Sequence, residues 1–165
     1  MTAALPAGQW ALQNIDLYQA QAYLDFINLM AYDFAGSWSP KAGHHAQLYP
    51  ANAATENSGS AAVDYVISTG FPAAKILLGI PVYGRSFLGA SGPGRSYKGH
   101  GGEDGTFEYK QLPREGTEEI VNTRLVAAFC VGGDGGFVSY DNPETVKLKA
   151  NYCRGKRLGV SHLPF

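Results

Sequence analysis

The stretch Phe26-Ile-Asn-Leu-Met-Ala-Tyr-Asp-Phe-Ala-Gly-Ser-Trp38 decides how this chain is read. It opens as an apolar run and closes on a phenol, a carboxylate and an indole: Tyr32, Asp33 and Trp38. Residues Phe26 to Ala31 read as a buried strand. A strand that delivers such groups at its C-terminal end has the character of the lip of an α/β barrel, where strand ends line the active site.

Working outward, Lys75 to Val82 (KILLGIPV) is a second continuous apolar run, bounded by Tyr83-Gly84-Arg85. Between the two runs, Ser60 is a plausible N-cap for a helix over Ala61 to Ser68, stopped by Gly70 and Pro72. Upstream, Asn14 to Asp25 has helical spacing, with Ile15, Leu17, Tyr18, Ala22 and Tyr23 as candidate core contacts. Met1 to Pro6 reads as the end of a strand. This is the βα alternation of a parallel sheet, and continuous apolar strands predict helices on both faces. Downstream, Thr106 to Leu112 alternates as an exposed strand, and Glu115 to Asn122 reads as a short acidic helix. Leu125 to Val131 and Phe137 to Tyr140 read as a hairpin around Gly132 to Gly136. Asn142-Pro143 starts a helix to Cys153. The fold class expected is α/β: a partial (β/α) barrel over 1–88, a small β-rich insertion over 89–140, and a barrel helix with a tail over 141–165.

With 165 residues the chain has room for one domain with a core. Its formal net charge of −1 gives no reason to expect a nucleic-acid or membrane partner. No apolar run approaches the ~20 residues that span a bilayer. No charged segment followed by an apolar one opens the sequence, so no signal peptide is visible. Cys130 and Cys153 are too few for a disulfide scaffold and lie in no metal-ligand spacing, so they read as inert packing thiols. The run Gly89 to Gly94 lacks the Lys-Ser/Thr ending of a phosphate loop. Glu103, Asp104 and Glu108 read as solvated surface, and His44 as a loop-ordering residue.

Met30-x-Tyr32-Asp33-Phe34 followed by Gly36-x-Trp38 resembles the sixth strand of glycoside hydrolase family 18, the chitinase family. Gly79 to Phe87 resembles its seventh strand, Leu5-Pro6-Ala7-Gly8 the end of its fifth, and Gly43 to Tyr49 the segment after its sixth. Gly105 to Tyr109, Leu112-Pro113 and Ser139 to Pro143 also fit, and the whole is most like chitinases of filamentous fungi. The resemblance implies hydrolysis of chitin or chitooligosaccharides, in which the substrate's own acetamido group serves as nucleophile. It implies that Met30, Tyr32, Asp33, Trp38, Tyr83 and Arg85 bind substrate. Tyr32 and Asp33 would hold the acetamido group, Trp38 would stack on a sugar, and Tyr83 and Arg85 would contact hydroxyls. Arg85 also has the simpler reading of a tie to a carboxylate such as Asp33. No metal or organic cofactor is implied, and family habit implies an extracellular location.

The family's Asp-x-x-Asp-x-Asp-x-Glu signature, whose Glu is the general acid, does not occur in these residues, so no catalytic residue is assigned. In this register Met1 falls in the fifth strand, downstream of that signature. At the other end, Val160 to Phe165 departs from the expected eighth strand, and Pro164 disfavours a central strand there. Three readings stay open: an enzyme, a non-catalytic chitin-binding relative, and an inactive fragment. The missing Glu argues against autonomous turnover under any of them.

Overall fold

The computed structural model describes residues 1–52 and 57–159. The elements in chain order are β1 (Thr2–Pro6), α1 (Gln9–Leu12), α2 (Leu17–Ala20), β2 (Phe26–Met30), α3 (Gly59–Ser68), β3 (Ile76–Leu78) and β4 (Tyr83–Phe87). They continue with β5 (Thr106–Glu108), β6 (Ile120–Asn122), β7 (Ala127–Val131), β8 (Phe137–Tyr140) and α4 (Pro143–Gly155). Two sheets form: a parallel one in the order β1-β2-β3, and an antiparallel one in the order β5-β4-β8-β7-β6.

In the parallel sheet, Ala3, Ile27 and Ile76 share one register level, as do Leu5, Leu29 and Leu78. Side chains alternate along a strand, so these residues share one face. That face packs with Leu12, Leu17, Val63, Val66, Phe71 and Leu158 into one core. The opposite face is different: Phe26 and Asn28 of β2 are exposed, as are their partners Thr2 and Ala4. The expectation of helices on both faces is therefore corrected. Among the described residues one face is covered, and the apolar run of β2 alternates in burial instead of being buried throughout.

The helices also differ from expectation. α3 begins at Gly59 with Ser58 as N-cap, its side chain accepting from the Ala61 N–H at 3.3 Å. Between Asn14 and Asp25 only Leu17–Ala20 is helical, capped by Asp16. Leu17 is buried, but Tyr18 and Tyr23 are 63% and 74% exposed and Ala22 is exposed. A single turn cannot present a long amphipathic stripe, so those tyrosines never reach the core. The acidic segment Glu115 to Asn122 forms no helix: only its end, Ile120–Asn122, is regular, as strand β6 against β7. The strand expected to run to Leu112 ends at Glu108 and passes into a 3₁₀ turn over Tyr109–Gln111.

β4 immediately follows the parallel segment, and its Tyr83 to Phe87 already belong to the second sheet. β7 and β8 pair antiparallel across the glycine-rich turn. α4 starts at an Asn142 capping box with Pro143 in its first turn, as its sequence predicts. The tail Val160 to Phe165 lies outside the described residues.

Candidate functional site

The C-terminal ends of β1 and β2 open onto one cavity of about 210 Å³, lined by residues that include Pro6, Trp10, Met30, Tyr32, Asp33 and Asn57. Parallel strands deliver their following residues to the same end of the sheet, which is why distant segments meet here. β3 contributes by its smallness. A Cβ on Gly79 would lie 2.9 Å from the Leu29 carbonyl oxygen and 3.0 Å from the Tyr32 ring, so glycine makes room for Tyr32. The Tyr32 ring stands edge-on to Tyr83, with centroids 6.2 Å apart. Among the described residues the Tyr32 hydroxyl has no hydrogen-bond partner, which leaves it available to a ligand.

Asp33 organises the site. Its φ of 59° lies in the left-handed region, which Asp tolerates better than bulkier residues. Tyr83 and Arg85, two residues apart on β4, project from one face of that strand toward it. The Tyr83 hydroxyl donates to Oδ1 at 2.8 Å; Arg85 donates from Nε to Oδ1 and from Nη2 to Oδ2, both at 2.9 Å. Burial by itself would raise the Asp33 pKa, but His45, Arg85 and Tyr83 outweigh it and hold the carboxyl well below the usual range. The same contacts act in reverse on the partners. Burial and the Asp33 carboxylate push the Tyr83 phenol up. Burial works against the Arg85 charge, and Asp33 more than restores it. Asp33 is thus a fixed anion at neutral pH, suited to orienting a dipole and unsuited to donating a proton.

The loop from Gly43 to Tyr49 forms the floor behind Asp33. Phe34 N–H donates to the His45 carbonyl at 2.9 Å, tying the loop to the strand end. The His45 ring is fully buried, lies tilted against Tyr83 with centroids 5.3 Å apart, and brings Nδ1 to 3.5 Å from Asp33 Oδ1. Beneath it, Lys149 of α4 donates to the Ala46 carbonyl at 2.6 Å and pairs with Asp141, both side chains being at most 2% exposed. One buried cation therefore fastens α4 to the loop that carries His45.

Of the residues singled out from sequence, Met30, Tyr32 and Asp33 line the cavity, and Tyr83 and Arg85 hold Asp33. Trp38 is 59% exposed, and the Arg85 guanidinium lies 4.9 Å from its ring centroid. A Cβ on Gly36 would strike that ring at 2.4 Å, so Gly36 lets the indole fold back. Sequence reasoning missed Trp10 and His45. Trp10 follows the end of β1, so the strand-end rule that singled out Tyr32 would have found it too. His45 carried no comparable signal, because its contact with Asp33 is purely tertiary. No group of three or more His, Cys, Asp or Glu side chains among the described residues could hold a metal ion.

The model of glycosyl hydrolases family 18 matches residues 1–161, and the chain belongs to that family. It is 40% identical over 169 residues to endochitinase 1 of Metarhizium robertsii, covering 98% of this chain and 40% of that protein. Chitinase 1 of Aphanocladium album is 39% identical over 168 residues, covering 96% and 39%. The structure matches the family 18 chitinase of Cycas revoluta in complex with (GlcNAc)3 with a TM-score of 0.85 at 33% identity, covering 96% of this chain and 48% of that one. The chain thus shares the fold of these chitinases while spanning less than half the length of the proteins it matches.

Proposed function

We propose that this chain forms the substrate-gripping part of a chitinase-type site for β-1,4-linked N-acetylglucosamine polymers. The observation that carries the reading is the anchored Asp33 carboxylate beside a Tyr32 hydroxyl with no partner among the described residues, both facing one cavity. An acetamido group offers one carbonyl acceptor and one N–H donor. Tyr32 donates to the carbonyl, and Asp33 orients the N–H. Held that way, the acetamido oxygen attacks the anomeric carbon and forms an oxazolinium-type intermediate as the glycosidic bond breaks. Water opens that intermediate, with retention of configuration. Trp38 supplies an aromatic plane for a sugar face, and Tyr83 and Arg85 border the hydroxyls. We read the three parallel strands as part of the family's barrel, and a polymer of this size is met outside the cell.

Bond breaking also needs a proton at the leaving oxygen, a role worth ~10²–10⁴ in rate. Asp33 is the one carboxylate lining the cavity among the described residues, and it is held as an anion. That favours a second reading, a chitooligosaccharide-binding role without turnover. Titration with (GlcNAc)3 followed by tryptophan fluorescence, alongside a chromogenic chitobioside assay, tests both. Expected are saturable binding, its loss in Tyr32→Phe and Asp33→Ala, and no release of chromophore. Folded protein that ignores (GlcNAc)3 overturns the assignment. Release that vanishes in Tyr32→Phe overturns the view that no residue of this chain donates the proton.

A further inference from the structure

A second cavity of about 420 Å³ lies on the far side of Phe34 and Asn57, which line both spaces. Its volume falls within the ~300–1,000 Å³ typical of small-molecule sites. His44 and Gln47 line it and are only 6% and 5% exposed. Each leaves one buried polar atom without a partner: Nε2 of His44 and Oε1 of Gln47. Such orphans are costly unless something satisfies them.

Their hydrogen-bonding characters follow from the neighbours. Gln47 Nε2 donates to the Asn57 carbonyl at 2.9 Å, which leaves Oε1 as a free acceptor. Ser139 Oγ accepts the His45 N–H and lies 3.3 Å from His44 Nδ1. The serine O–H can donate to Nδ1, and in that tautomer the histidine proton sits on Nε2 as a free donor. The His44 ring is clamped against Phe129 and Phe137, with centroids 5.7 and 5.5 Å away. The walls are also pinned: Gly94 N–H donates to the Ala42 carbonyl at 2.7 Å, and Leu48 N–H to the Leu125 carbonyl at 3.0 Å. No charged side chain lines the space among the described residues, and Ala35, Ala42 and Leu125 supply apolar surface.

We propose that this cavity is a binding site for a neutral acetamido group, its carbonyl accepting from His44 Nε2 and its N–H donating to Gln47 Oε1. The methyl group then packs on the alanine and leucine walls. A lone carboxylate or ammonium ion would enter uncompensated, so the site selects neutral ligands. It is separate from the Tyr32–Asp33 cavity, and the assignment does not rest on the function proposed for that cavity.

The test is an NMR titration of the full chain with N-acetylglucosamine, and with glucose as control, read at the side-chain signals of His44 and Gln47. Saturable shifts with the acetylated sugar alone are expected. They should weaken at least tenfold in Gln47→Met and in His44→Phe, which keep the packing, and survive in Tyr32→Phe. Absent shifts, equal shifts with glucose, or persistence in both cavity variants overturn the proposal. Loss of the shifts in Tyr32→Phe assigns the binding to the first cavity and overturns it equally. If the cavity variants fail to fold, the comparison of the two sugars on the unaltered chain decides alone.

Discussion

Arg85 meets Asp33 with two parallel hydrogen bonds, Nε to Oδ1 and Nη2 to Oδ2, each 2.9 Å long. This fork geometry is available to guanidinium and not to ammonium. Arg85→Lys therefore frees one carboxylate oxygen and loosens Asp33, although charge is conserved. We expect (GlcNAc)3 affinity to fall at least tenfold, measured by calorimetry, with Arg85→Ala worse. Unchanged affinity in Arg85→Lys would mean that the fork does not position the anion.

The buried Lys149–Asp141 pair holds α4 to the loop beneath the site. Lys149→Met leaves Asp141 as an uncompensated buried charge, which costs about 3–5 kcal/mol. Asp141 also accepts from the Thr145 hydroxyl at 2.8 Å, so the strain spreads to the start of α4. Chemical denaturation should show that loss. The double variant Lys149→Met/Asp141→Leu should recover a large part of it, and equal loss in single and double variants would refute the charge argument.

His44 gives the fold a defined pH dependence. Burial, with the charge of neighbouring His45, lowers its pKa to about 4 from the ordinary ~6.5. Between those values the unfolded chain binds a proton that the native chain refuses, so stability is full above pH ~6.5 and falls as pH drops toward about 4. Burial lowers His45 in the same direction. Thermal melts from pH 7.5 to 4 should show a steep decline. His44→Phe should flatten it by on the order of 3 kcal/mol across the window. A slope identical to that of the unaltered chain would refute the assignment.

Trp38 is exposed and lies beside Arg85, whereas Trp10, 69% exposed, lines the cavity. Removing an exposed indole leaves no cavity, so Trp38→Ala should change the melting temperature little. Its effect should appear as at least a fivefold loss in (GlcNAc)3 binding by calorimetry. A large loss of stability with unchanged binding would reverse the assignment.

Much of the site was legible in the sequence because strand ends obey local rules. An apolar run of strand length ending in Tyr32-Asp33 announces both the strand and the groups it delivers. Asn142-Pro143 announced α4 in the same way, through capping chemistry. The expectation failed where local pattern was a poor guide to surroundings. Tyr18 and Tyr23 had helical spacing but lie on a segment with a single helical turn. Ile120 to Asn122 had acidic neighbours upstream and still paired with β7.

By itself the amino-acid order pointed to the family and the parallel strands, and it singled out Met30, Tyr32, Asp33, Trp38, Tyr83 and Arg85 as candidates. Each depends on spacing along one segment. Only the tertiary structure decided that Arg85 and Tyr83 lock Asp33 as an anion, and that His45 and Lys149 support it from behind. It also decided that His44 and Gln47 line a second cavity. The tie of Tyr83 to Asp33 spans 50 residues of chain, and that of Lys149 to Ala46 spans 103. Hydrogen-bond geometry and desolvation act on distances in space, and no local pattern records them.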